Sequence, residues 1–150
     1  IRNETDSVIH LGYPADSLRS WSLSGTGKTF VSTDTLPAKG FMLLFAKDEM
    51  TAAAFRTRWN IPDNVPVVGY SGKLSNSGET LELRHPLVPL AQNNGSLEWA
   101  AVVEDAANWL PDAPWPAAAN GGGSCLQRQS STIPGTSIEA WAAALPTPGK

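Results

Sequence analysis

An all-β chain of short strands with one short helix is what the sequence predicts, on three observations. The 13 Gly and 12 Pro are spread along the whole chain, so turns recur between short segments. Two segments, Ser20-Trp21-Ser22-Leu23-Ser24 and Thr80-Leu81-Glu82-Leu83-Arg84, alternate strictly between polar and apolar residues. Alternation of period two marks a half-buried strand, with Trp21 and Leu23 on one inward face, Leu81 and Leu83 on another, and Glu82 and Arg84 toward water. Finally, no strand–helix–strand alternation is visible, which argues against a parallel α/β sheet. Roughly eight short strands separated by turns describe a sandwich or a barrel.

The elements follow in order. Val8-Ile9-His10-Leu11 is a short β-type run after the turn-prone Glu4-Thr5-Asp6-Ser7, and Gly12 to Asp16 is a loop. The Trp21 strand turns through Gly25-Thr26-Gly27 into Lys28-Thr29-Phe30-Val31, a hairpin. Phe41-Met42-Leu43-Leu44-Phe45-Ala46 is apolar throughout, as a strand buried on both faces would be. The one helix is expected near residues 49–59. Asp48 serves as N-cap, Ala52-Ala53-Ala54 favours helix, and Phe55 and Trp59 share a face before Asn60-Ile61-Pro62 ends it. Val67-Val68-Gly69-Tyr70 precedes the turn Ser75 to Gly78 and the Leu81 strand. Leu87 to Ala91 and Leu97 to Val103, joined at Asn93-Asn94-Gly95, read as a second hairpin. Ser124 to Arg128 is a late strand after three glycines.

Composition bounds the function. A chain of 150 residues supports one hydrophobic core. A net charge of −3 without any Lys/Arg run argues against a surface that tracks nucleic-acid phosphates. The longest apolar stretch is far too short for a membrane-spanning helix, so no membrane insertion is expected from this segment. Cys125 is alone, so no internal disulfide forms. Ile1-Arg2-Asn3 reads as the tail of a strand already under way, and Pro146 to Lys150 as the start of a linker. The expectation is one domain over residues 1–150, excised from a longer multidomain chain.

Three stretches go beyond pattern. Phe55-Arg56-Thr57-Arg58-Trp59-Asn60-Ile61-Pro62 continues through Val65-Pro66-Val67-Val68-Gly69 to Gly72-Lys73-Leu74-Ser75-Asn76-Ser77-Gly78-Glu79. Pro114-Trp115-Pro116 leads through Asn120-Gly121-Gly122-Gly123 to Ser124-Cys125-Leu126-Gln127-Arg128, and Trp141-Ala142-Ala143-Ala144 precedes Pro146-Thr147-Pro148-Gly149. Together they resemble bacterial lamin-tail domains over nearly the whole chain. The resemblance implies an immunoglobulin-like β-sandwich without catalytic residues or cofactors. It implies an interaction or structural module that attaches or positions a larger secreted or cell-envelope assembly. Partners would be other domains of the same chain or protein subunits, at an extracellular, periplasmic or cell-surface location. Asn120 and Cys125 depart from the family's usual Asp and Ser, Gly12 to Ser20 is longer than usual, and Asn108-Trp109-Leu110-Pro111 is atypical.

Several residues invite chemistry. Ser24-Gly25-Thr26-Gly27-Lys28-Thr29 imitates a phosphate loop, but Ser22 stands where the first Gly is needed and a strand follows in place of a helix. A hairpin turn is expected, with Lys28→Ala leaving stability nearly unchanged. Gly121-Gly122-Gly123-Ser124 has neither a nearby Lys nor a following helix and reads as a flexible approach to a strand. His10 and His85 lack partners at metal-ligand spacing, and Cys125 alternates with Leu126 as a small buried residue would. Glu104, Asp105 and Asp112 are expected as solvated charges in a Pro- and Trp-rich loop, in a spacing that matches no calcium loop. Trp21, Trp59 and Trp141 stand in core-like contexts. Trp109 and Trp115, flanked by Pro111, Pro114 and Pro116, are the candidate contacts to a partner or a glycan. The expected outcome is a loop folded onto the sheet edge, and the alternative is a carbohydrate-binding module.

Overall fold

The computed structural model describes residues 1–14, 19–91 and 94–149, with the backbone alone at 88, 90, 91 and 97–99. Of two segments singled out in the sequence, residues 15–18 of the Gly12 to Ser20 stretch and Asn93 of the hairpin turn lie outside the described residues. Among the described residues the fold is β-rich with a single short α-helix.

Asn3 organises the first turn. Its buried Nδ2 donates to the carbonyls of Ser7 (2.7 Å), Leu36 (3.3 Å) and Pro37 (2.9 Å). Its Oδ1 accepts from the Thr5 backbone and hydroxyl, both at 2.8 Å, so the buried amide is fully satisfied. These bonds hold the chain against β4 (Thr35–Leu36), which pairs antiparallel with β1 (Ile9–His10).

The hairpin at Gly25 forms as the alternation requires. β2 (Ser22–Ser24) pairs antiparallel with β3 (Lys28–Thr29), and Leu23 opposes Lys28. Gly25 turns with φ 84°, and a Cβ there would crowd Leu81 and the Thr80 carbonyl. Glycine is therefore required at that position.

Three expectations change. The apolar run at Phe41 contributes β5 over Leu43–Ala46 only, half-buried apart from the buried Phe45. β5 pairs in parallel with β6 (Val67–Tyr70), with α1 (Ala52–Trp59) between them. A strand–helix–strand crossover thus exists here, because residues 47–66 provide the long connection a parallel pair needs. The helix starts later than Asp48 suggested. Thr51 Oγ1 accepts from the Ala54 backbone at 3.2 Å as N-cap, while the Asp48 carboxylate accepts from Gly72 N–H at 2.8 Å. Asn60, left-handed at φ 50°, closes the helix, and Phe55 stacks on Phe45 at 5.4 Å.

β7 (Glu79–Ala91) and β8 (Leu97–Trp109) form one hairpin of 13 residues on each side. The sequence suggested separate strands at Thr80 to Arg84 and Leu87 to Ala91 before the turn, and a loop after Val103. Pairing instead runs unbroken from Glu79↔Trp109 to Ala91↔Leu97, with register shifts at Leu83/Arg84 and Pro86/Pro89. The prolines are tolerated because β7 carries β2 only at residues 82–84, so its outer edge at Pro86 and Pro89 has no ladder to break. The order β3-β2-β7-β8 makes a four-stranded sheet, and β9 (Cys125–Arg128) pairs antiparallel with β10 (Trp141–Ala144).

Leu11, Phe30, Leu36 and Met42 form the buried centre, with Ile9, Trp21, Leu23, Leu44, Val68 and Leu83 packed around them. These side chains come from three of the sheets, which therefore share one core. Trp21, expected to face inward in a core-like context, packs against this core but is half-buried: it lies at its edge, against His85.

Candidate interaction surface

The β7–β8 hairpin leaves the body of the protein where β2 ends. Ser22 pairs with Arg84, and beyond His85, among the described residues, β7 and β8 pair with each other alone, out to Ala91 and Leu97. This arm is built from Pro86-Leu87-Val88-Pro89-Leu90-Ala91 and Leu97-Glu98-Trp99-Ala100-Ala101-Val102-Val103, in which Glu98 is the one charged residue. Leu87 is 48% exposed, Val102 40% and Val103 45%. Val102 and Val103 are consecutive strand positions, so both faces of the ribbon present apolar surface to solvent. A two-stranded ribbon that projects alone is marginal in water and gains from being covered.

A polar clamp sits at the root of the arm. The Trp21 and His85 rings stack with centroids 4.4 Å apart and planes at 16°. His85 Nδ1 lies 2.9 Å from Glu104 Oε1. Leu83 pairs with Asp105 and Arg84 with Val103, so Glu104 is the extra residue of a β-bulge. That bulge sets Glu104 beside the imidazole. A second irregularity, two residues between Pro86 and Pro89 against one between Ala101 and Trp99, lies farther out on β7.

Asp105 faces another task. The Arg128 Nη1 reaches Asp105 Oδ2 at 2.9 Å, its Nε donates to the Ser130 carbonyl and its Nη2 to the Ile133 carbonyl, both at 2.7 Å. Trp141 lies under the guanidinium at 5.4 Å and its Nε1 donates to the Gly135 carbonyl at 2.7 Å. Gly135 packs so closely on β8 that a Cβ would overlap the Ala106 carbonyl. The loop from Ser130 to Gly135 thereby covers β8 at residues 105–106. The expectation of loop carboxylates is corrected accordingly: Glu104 and Asp105 are strand residues with separate partners, and only Asp112 is in a loop. Among the described residues, no three His, Cys, Asp or Glu side chains gather where a metal ion could be held.

The other sequence candidates are dispersed. Trp109 ends β8 rather than standing in a loop. It pairs with Glu79, is half-buried, and donates Nε1 to the Ser75 carbonyl at 3.3 Å. Trp115 is 9% exposed, so most of its ring is enclosed. Cys125 is half-buried in the β9–β10 ladder opposite Ala144, in a different sheet from His85. Lys28 is the largest surprise. Its Nζ lies 3.1 Å from Asp34 Oδ2, with side-chain exposures of 14% and 10%. The same carboxylate accepts Val31 N–H at 2.9 Å. The expectation that Lys28→Ala would leave stability nearly unchanged is corrected, because the substitution leaves an enclosed carboxylate without its cation.

Elsewhere, burial and then the charge of Glu79 raise the Tyr70 hydroxyl above its ordinary pKa. A hydrogen bond and charge from Glu49 raise Lys73. No helix among the described residues is long and apolar enough to cross a membrane. No protein-family model, curated protein or solved structure matches the chain.

Proposed function

We propose that the chain is an immunoglobulin-like, lamin-tail-type module that attaches or positions a larger secreted or cell-envelope assembly by protein contact, without catalysis. The observation that carries this reading is the projecting β7–β8 arm, with Leu87, Val102 and Val103 exposed on a nearly uncharged ribbon. Apolar surface held on a preformed hairpin suits a protein partner, since little backbone order remains to be imposed on binding. The tryptophan alternative has less support. Trp115 is enclosed and Trp109 is half-buried, so neither stands out as the fully open ring that stacking on a sugar uses best.

The test places a photo-reactive amino acid at Leu87 in the full-length protein in its own cells, with the exposed Leu74 as the off-arm control. Protein adducts at position 87 well above those at position 74 are expected. Equal labelling at both positions, together with glycan binding that Trp109→Ala abolishes, would replace this reading with the carbohydrate one.

A further inference from the structure

We infer that the partner of the arm is a second copy of this chain, joined by antiparallel pairing of the open outer edge of β8 with itself. This rests on the arm being the interaction surface. In the order β3-β2-β7-β8, β8 is an edge strand of 13 residues, far longer than proteins usually leave unpaired. Its inner part is already blocked by the Asp105–Arg128 pair and by Gly135 against Ala106. From Leu97 to Val103 the edge has no proline, no lysine and one carboxylate. The opposite edge of the same arm carries Pro86 and Pro89, which cannot donate to an added strand. One edge of the arm is guarded and the other is open.

Self-pairing fits that open edge. A two-fold axis through Ala100 aligns position 97 with 103, 98 with 102 and 99 with 101. Glu98 then opposes Val102 of the other copy, so no like charges meet although each chain carries −3. The paired edge is about 20 Å long, and with exposed Val102 and Val103 it sits at the low end of interface sizes, which gives a weak, concentration-dependent dimer. The joined sheet runs β3-β2-β7-β8-β8-β7-β2-β3. Along the paired stretch, beyond the end of β2, its two borders are the β7 edges that carry Pro86 and Pro89, so a two-fold pair removes the long open edge and growth stops.

Sedimentation velocity of the chain over about 1 to 200 μM should show monomer passing to dimer, the range expected for an interface of this size. Val103→Lys should stay monomeric over that range with an unchanged far-ultraviolet spectrum. In a Cys125→Ser background, Ala100→Cys should form an intermolecular disulfide on mild oxidation, and Ala106→Cys, on the covered stretch, should not. Monomer throughout, or a dimer indifferent to Val103→Lys with equal cross-linking at 100 and 106, would overturn the inference. If the chain is monomeric while position 87 still labels a different protein, the interaction reading stands and self-pairing fails.

Discussion

Lys28 had a tempting sequence context and a different structural role. In sequence it completes a glycine-lysine-threonine string, and the strand that follows correctly marks a hairpin. Its partner Asp34 lies beyond the hairpin, across Phe30 and Val31, and no periodicity links the two positions. Lys28→Ala should lower stability by about 2–4 kcal/mol, because removing one partner of a mostly buried pair strands the other charge. Urea unfolding of Lys28→Ala, Asp34→Ala and the double variant measures the coupling; strictly additive losses would show that the pair contributes nothing. Trp21 is the reverse case, with its strand register legible and its burial overestimated. Alternation shows which face a ring takes, but not where the core ends. Since Trp21 is half-buried against His85, Trp21→Ala should cost about 2 kcal/mol. An enclosed tryptophan would cost about 3–5 kcal/mol.

Elements were legible where local chemistry decides them. The Gly25 turn, the alanine-rich helix ended by Asn60 and Pro62, and the Cys125 strand all follow from residues within each segment. The misread elements depend on what lies beside them. Thr80 to Arg84 and Leu87 to Ala91 read as separate strands, yet β7 runs on through Pro86 because β2 has already ended. Glu104 and Asp105 look like loop charges, yet β8 absorbs them through a bulge and an arginine clamp. The clamp is invisible in sequence because Arg128, Asp105 and Gly135 meet only across sheets. Arg128→Ala should destabilise the chain by about 2–3 kcal/mol, since an ion pair and two carbonyls lose their donor together. Amide exchange should rise first in residues 130–135; a uniform rise across all sheets would show that the clamp is not local. Gly135→Ala should do at least as much, because the added methyl has nowhere to go against Ala106.

At the scale of the whole molecule, β-richness with one helix was legible from turn frequency and alternation. The grouping of strands into sheets was not, since partner choice is set by the shared core and not by any one strand. β6 shows this: Val67-Val68-Gly69-Tyr70 reads as a strand, but only the fold pairs it in parallel with β5 and brings Tyr70 under the field of Glu79. That placement makes overall stability depend on alkaline pH. In the folded chain, burial and then Glu79 hold the Tyr70 hydroxyl protonated above its ordinary value of 10.0. The unfolded chain therefore loses this proton first, and the folded state binds more protons over the interval between the two values. Stability contributed by the neutral hydroxyl is fully present below pH 10.0 and is lost as pH rises through the folded value. Lys73 acts with the same sign through Glu49, but on the surface, where solvent and salt weaken it. Urea midpoints taken at about pH 8 and about pH 10.5 should fall for the native chain, and fall less for Tyr70→Phe, which has no proton to release. Because every other lysine and tyrosine titrates equally in both proteins, the difference between the two slopes isolates Tyr70. Identical slopes would mean that the hydroxyl ionises alike in the folded and unfolded chain, and that its placement beside Glu79 has no energetic consequence.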